Sequence, residues 1–184
     1  MESGELMGKV IAIVNQKGGV GKTTTSVSLS AALAILGKRV LLVDSDPQGN
    51  ATSGLGVEKK SLSSSIYDII INQAEIENVG LATEYGLDIV PSHIDLAGAE
   101  VELVAAISRE SRLKKAIDKV KNFYDYIIID CPPSLGLLTL NSLVAADSVL
   151  MPVQCEYYAL EGLGQLMQTI DLVRNQLNES LEVE

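Results

Sequence analysis

The sequence predicts an α/β fold: a mostly parallel sheet with helices on both faces. Three observations carry this. Short apolar runs at 10–14, 40–43, 87–90, 126–129 and 147–153 alternate with segments of helical character. The chain has one Phe and no Trp in 184 residues, so its core must be aliphatic, as suits a parallel sheet covered by helices. The stretch Asn15-Gln16-Lys17-Gly18-Gly19-Val20-Gly21-Lys22-Thr23-Thr24 places a glycine-rich loop between an apolar run and a helical segment.

Each element has its own reason. Val10 to Val14 reads as a buried strand. Thr23 to Leu36 reads as a helix whose small residues, among them Ser26 and Ser30, allow close approach to a sheet. Gly37 stands at its left-handed C-cap position. Val40 to Val43 completes a βαβ unit and ends in Asp44-Ser45-Asp46-Pro47-Gln48-Gly49-Asn50, at the edge where open α/β sheets bind ligands. Ala51 to Leu62 reads as a loop. Ser65-x-x-Asp68 is a capping box opening a helix over 66–71. Leu87 to Val90 is a third strand, and Ser92-x-x-Asp95 suggests a cap for a helix burying Leu96, Ala99, Leu103 and Ile107. His93, the single histidine, reads as a surface loop residue.

Arg109 to Asn122 is rich in Lys and Arg but carries one apolar face: Leu113, Ala116, Ile117 and Val120. It reads as an amphipathic surface helix with a solvated basic side, in preference to a DNA contact. Tyr126 to Ile129 is a strand ending in Asp130. Asp147 to Val153 is a fifth strand, and Tyr158 to Leu177 a final helix with Leu160, Leu163, Met167, Ile170, Val173 and Leu177 facing the core.

A net charge of −10 opposes binding to nucleic acid or anionic membrane through overall charge. Cys131 and Cys155 lack metal-ligand spacing and read as reduced thiols of a cytosolic protein. Residues 1–6 read as an extension or alternative start ahead of Met7, and 7–184 as one domain.

The chemistry lies at three strand ends. Loop amides over 18–24 converge on anionic oxygens at a helix N-terminus. Lys22 would reach the phosphates, and the Thr23 hydroxyl would ligate Mg²⁺. An apolar run closed by Asp130 is a Walker B pattern, in which the carboxylate holds Mg²⁺.

The Lys-Gly-Gly-Val-Gly-Lys-Thr loop resembles the deviant Walker A loop of the ParA/MinD ATPases, and Asp44 to Asn50 resembles that group's second ATP-site motif. With Asp130 in order behind them, the sequence from Met7 to its end is similar to the ParA/Soj chromosome- and plasmid-partition ATPases. The resemblance implies a deviant Walker A P-loop NTPase fold, ATP and Mg²⁺ as cofactors, and binding through Lys17, Gly18, Gly19, Val20, Gly21, Lys22, Thr23 and Thr24. It implies that Asp46 orients the attacking water, that Asp44 stands in the outer Mg²⁺ shell beside Thr23 and Asp130, and that Lys17 reaches the nucleotide of a partner subunit. Pro132 to Asn141 resembles the switch region that senses the γ-phosphate. The family further implies an ATP-dependent homodimer, slow hydrolysis, a ParB-type centromere-binding partner, non-specific DNA binding and a nucleoid-associated place in the cytoplasm.

Departures matter too. Family members continue through further strands and helices, so the chain reads as lacking their C-terminal portion, with an uncovered sheet edge. The nitrogenase iron protein, which shares the loop, needs a cysteine a few residues beyond the Walker B Asp; Pro133 stands there, so no iron–sulfur cluster is expected. No amphipathic membrane helix of the MinD kind ends the chain, and no membrane partner is expected. Cargo other than DNA, or nucleotide binding without turnover, are the alternatives.

Overall fold

The structure is a computed structural model and describes residues 8–154 and 159–184. The expectations for residues 1–6, Met7, Cys155, Tyr158 and the Leu160 side chain lie outside the described residues.

Strand β1 (Lys9–Ile13) leads through the phosphate loop into α1 (Lys22–Ile35) and then β2 (Val40–Asp44). Next come α2 (Asn50–Gly54), α3 (Ile66–Ile70), α4 (Ile76–Val79), β3 (Leu81–Ala82) and β4 (Asp88–Val90). The chain continues with α5 (Leu96–Leu103), α6 (Arg112–Val120), β5 (Tyr126–Asp130), α7 (Leu137–Ala145), β6 (Ser148–Leu150), α8 (Ala159–Gln176) and β7 (Glu182–Val183).

The strands form one sheet in the order β3-β4-β2-β5-β1-β6-β7. Every neighbouring pair is parallel except β3 with β4. Strand alternation splits the core. Val10, Ala12 and Val14 join a cluster with residues of α3 to α8, whereas Ile11 and Ile13 join one with α1 and α2. Helices therefore cover both faces, as the sequence predicts.

From β1 the chain crosses to β2 on one side, while β6 pairs with β1 on the other. That switch opens a crevice at the C-terminal strand ends. Register puts three such ends level: Asp130 is opposite both Ile13 and Asp44.

Local expectations hold where a motif is self-contained. Gly37 adopts φ +77°, and the Lys38 amide donates to Leu33 O at 3.1 Å to close α1. The Ser65 capping box forms, with Ser65 Oγ accepting from the Tyr67 amide and Asp68 returning to the Ser65 amide at 2.9 Å. On α6, Leu113, Ala116, Ile117 and Val120 are buried as expected.

Several expectations need correcting. The 51–62 loop contains α2 and a 3-10 turn at Lys59–Ser61. Helix α2 is too short for a periodic signal; the Asp44 carboxylate holds its Thr52 amide at 2.7 Å. Ser92 caps nothing, since Asp95 is the N-cap of α5 and makes no side-chain cap bond. Ile107 lies beyond the end of α5 and is 87% exposed. The fifth strand shrinks to β6 at both ends: the Asp147 side chain accepts the Val10 amide at 2.8 Å, and beyond Leu150 the Pro152 carbonyl accepts from Asn15 Nδ2. In α8, Ile170, Val173 and Leu166, the last unread in the sequence, are buried, and Leu163 and Met167 are half-buried; Leu177, just past the helix end, is exposed. Beside β6 stands β7, paired with it at Ser148 and Val149, and this two-residue exposed strand forms that edge of the sheet.

No helix among the described residues is long and apolar enough to cross a membrane.

Candidate functional site: a phosphate cavity at the strand switch

The loop between β1 and α1 is pinned at both ends. Asn15 Nδ2 donates to Pro152 O at 2.8 Å, and Asn15 Oδ1 accepts the Lys17 amide at 2.9 Å. Gln154 Nε2 donates to Gly19 O at 3.1 Å. Gly19 and Gly21 adopt φ +74° and +91°, backbone that residues with a Cβ rarely take. A Cβ added at Gly18, Gly19 or Gly21 would meet nothing within 4 Å, so the loop faces open space of the kind a phosphate fills. Val20 is half-buried in the same loop.

That space is a cavity of about 380 Å³ lined by Gly18, Gly19, Gly21, Lys22, Thr23, Thr24, Asp46, Gln48, Asn50 and Pro133. All three predicted motifs therefore converge: the loop, the turn after β2 and the segment after β5. Lys22 is 8% exposed, and its Nζ donates to Lys17 O at 3.1 Å. Burial lowers its pKa, while Asp130 and Asp46 pull the other way.

Two further carboxylates, Asp44 and Asp130, close the neighbouring strands β2 and β5. Asp130 is fully buried; its Oδ1 accepts from Ser26 Oγ at 2.9 Å, and its Oδ2 has no hydrogen-bond partner among the described residues. Burial pushes the Asp130 carboxyl up to about 6, against the Thr23 and Ser26 hydroxyls. A buried carboxylate oxygen left unmatched beside Thr23 fits a divalent cation, a hard acid that takes oxygen ligands. Asp44 is fully buried as well, and burial pushes it up to about 7 despite the two bonds from Thr52. Both its oxygens are engaged, Oδ2 by the Thr52 amide and hydroxyl and Oδ1 by the Asp46 amide. Asp44 thus shapes the turn that carries Asp46.

Asp46 is 7% exposed, and its Oδ1 accepts the Gln48 amide at 2.9 Å. Sequence reasoning missed Ser26, Thr52, Ser92 and Asn15 as site residues. Ser26 leaves a trace in retrospect, because it falls one helical turn after Lys22 on the same face. Cys131, behind Asp130, is a buried free thiol that burial pushes up to about 12, which keeps it unreactive.

A parallel sheet whose central strand feeds a glycine loop into a helix, with paired carboxylates at the neighbouring strand ends, defines a P-loop nucleotide-binding protein. The AAA domain family matches residues 8–183. Sporulation initiation inhibitor protein Soj of Bacillus subtilis is 64% identical over 179 residues, covering 97% of this chain and 71% of Soj. Chromosome partitioning protein ParA of Myxococcus xanthus is 58% identical, covering 97% of this chain and 63% of that protein. The chain belongs to this Soj/ParA family of P-loop ATPases, and it spans about two thirds of the length of these relatives.

Solved structures agree. The crystal structure of cobyrinic acid a,c-diamide synthase from Mycobacterium smegmatis with bound ADP and magnesium superposes with a TM-score of 0.93 at 46% identity, covering 96% of this chain and 72% of that one. A plasmid partition protein from Borrelia burgdorferi gives 0.82 at 30% identity, covering 96% and 76%.

Proposed function

We propose that residues 7–184 form an ATP-binding and ATP-hydrolysing domain that dimerises on Mg²⁺-ATP and works as a switch in chromosome or plasmid partition. One observation carries this reading: Asp130, whose buried Oδ2 is unmatched, is bonded through Oδ1 to Ser26 on α1, the helix whose first residues Lys22 and Thr23 line the glycine cavity together with Asp46. The chromosome partitioning protein ParA of Myxococcus xanthus is 58% identical against 46% for the Mycobacterium smegmatis structure, which favours partition over the synthase activity named for that structure.

Lys22 and the loop amides neutralise phosphate charge, and the αL glycines let the backbone approach. Thr23 and Asp130 hold Mg²⁺, with Asp44 behind them; when bound, the ion supplies charge neutralisation at the phosphates. Asp46 accepts a hydrogen bond from the attacking water and orients it. Lys17, exposed at the rim of the loop, neutralises charge at the site of a second copy, so turnover requires the dimer. The partners are a ParB-type centromere-binding protein and, for the intact protein, non-specific DNA; the setting is the cytoplasm, with nucleoid association a property of the intact protein. DNA contact belongs to surfaces other than α6. There Lys114 pairs with Asp118, Lys119 with Glu75, and Arg112 donates to the Ile70 and Ile71 carbonyls.

Light scattering of the Asp46→Ala chain tests the switch, since this change should block hydrolysis and trap the ATP state. A dimer with Mg²⁺-ATP and a monomer with Mg²⁺-ADP is expected. A monomer in both, with ATP bound, overturns the dimer switch within these residues. Lys17→Ala should keep nucleotide and lose turnover; normal hydrolysis by that variant removes the cross-subunit role.

A further inference from the structure

The turn after β2 is held by a closed ring of hydrogen bonds whose members come from three separate parts of the chain. Thr52 Oγ1 donates to Asp44 Oδ2 at 2.7 Å. The Ser92 amide donates to Thr52 Oγ1 at 2.9 Å, and Ser92 Oγ donates to the Asp46 carbonyl at 2.7 Å. The Asp46 amide donates back to Asp44 Oδ1 at 3.2 Å, closing the ring.

The polarity is fixed by proton count. Thr52 has one hydroxyl proton and gives it to a carboxylate, so its oxygen is free to accept the Ser92 amide. Asp44, Thr52 and Ser92 are fully buried and Asp46 nearly so, hence water cannot substitute for a lost member. The contact is also tight. A Cβ on Gly49 would stand 3.0 Å from Ser92 O, and Gly49 itself adopts φ +61°. Its amide donates to the Asp46 carbonyl at 2.9 Å, the oxygen that Ser92 also holds.

None of these bonds touches the phosphate loop. They fix the backbone on both sides of Asp46 and leave its carboxylate at the cavity wall. We infer that Thr52 and Ser92 are positioning residues for hydrolysis, locking the 44–50 turn so that Asp46 is held toward the phosphate cavity. This rests on the reading of Asp46 as the group that orients water.

The role predicts a split between binding and turnover. Lys22, Thr23 and the loop amides are unchanged in Ser92→Ala and Thr52→Val, so nucleotide affinity stays within about twofold while the single-turnover rate at saturating Mg²⁺-ATP falls about tenfold or more. Thr52→Ser keeps the hydroxyl and recovers most of the rate that Thr52→Val loses. Ser92→Ala combined with Asp46→Ala is no slower than Asp46→Ala alone, because Ser92 acts through Asp46. A structural role alone would lower melting temperature and affinity together and would not follow the hydroxyl.

Amide exchange reads the ring without turnover. In the ligand-free Ser92→Ala chain, exchange at Asp46 and Gly49 should rise about tenfold while β1 and β5 are unchanged. Unchanged exchange there overturns the inference, as does wild-type turnover by both Ser92→Ala and Thr52→Val when Asp46→Ala is inactive. Wild-type turnover by Asp46→Ala instead overturns the reading of Asp46, and with it the catalytic part of this one.

Discussion

Charged side chains occur in two contrasting settings. At the C-terminal strand ends, Lys22, Asp44, Asp46 and Asp130 are all buried, and the carboxylates there outnumber the one cation. Along α6, Lys114 is half-buried and Lys119 exposed, and each meets one carboxylate at hydrogen-bonding distance, Asp118 at 3.0 Å and Glu75 at 2.8 Å. The first region keeps charge out of water and leaves it incompletely matched. The second leaves charge in water and matches it pairwise. Unmatched buried charge is costly to the fold and valuable to a ligand that completes it, whereas a solvated pair contributes little to either.

Lys22→Ala removes the only buried cation of the described site, and nucleotide affinity measured with a fluorescent ATP analogue should fall by about 100-fold or more. A loss of less than about fivefold would mean that the loop amides dominate binding and buried charge matters less than stated.

Ser26→Ala comes next. It strips Asp130 of the Ser26 hydroxyl that donates to Oδ1 while Oδ2 is already unmatched, leaving Thr23 as the hydroxyl beside the carboxyl, so urea denaturation should show a loss of about 1–3 kcal/mol. No change would mean that water reaches Asp130 and that the carboxylate is less isolated than its burial implies.

Titration sharpens the contrast further. Asp44 and Asp130 are raised in the fold to about 7 and about 6, from an ordinary 3.8. A raised acid means that the folded chain holds protons the unfolded chain has lost, so the stabilising contribution is complete below about pH 4 and fades as pH climbs through about 6 to 7. The melting temperature of the ligand-free chain should therefore fall from pH 5 to pH 8, and Asp44→Asn should flatten the upper part of that slope. A flat profile in the parent chain would erase the distinction between buried and surface carboxylates.

The smallest effect belongs to α6. Lys114→Glu with Lys115→Glu should shift stability by no more than about 1 kcal/mol and leave the phosphate site untouched, as read by nucleotide affinity. A large change in DNA retention by this variant would return the helix to consideration as a nucleic-acid surface.

Much of the site was legible because its chemistry is written in local spacing. The loop at 15–24, the acidic turn at 44–50 and the aspartate closing 126–130 each begin at or just beyond the last residue of a strand, and parallel register brings those three ends level without further instruction. Gly37 and the Ser65 box were legible for the same reason, since a cap involves only neighbours along the chain. Ser92 shows the limit. Its spacing to Asp95 imitates a cap, yet its hydroxyl is taken by Asp46, 46 residues away in sequence. Ile107 misled similarly: helical spacing continued on paper after α5 had ended at Leu103.

By itself, the sequence determined the α/β class, the phosphate loop and the three motifs that identify the family, because those depend on residue type and on spacing within a strand, a turn or a helix. Tertiary structure alone decided which hydroxyls serve the carboxylates: Ser26 for Asp130, Thr52 for Asp44, Ser92 for the Asp46 turn. It also decided that α2 forms and that β7 pairs with β6. The physical reason is common to all of these. A buried polar group must find a partner wherever the fold brings one within about 3 Å, and a pairing across 40 or 100 residues leaves no periodicity in the chain that makes it.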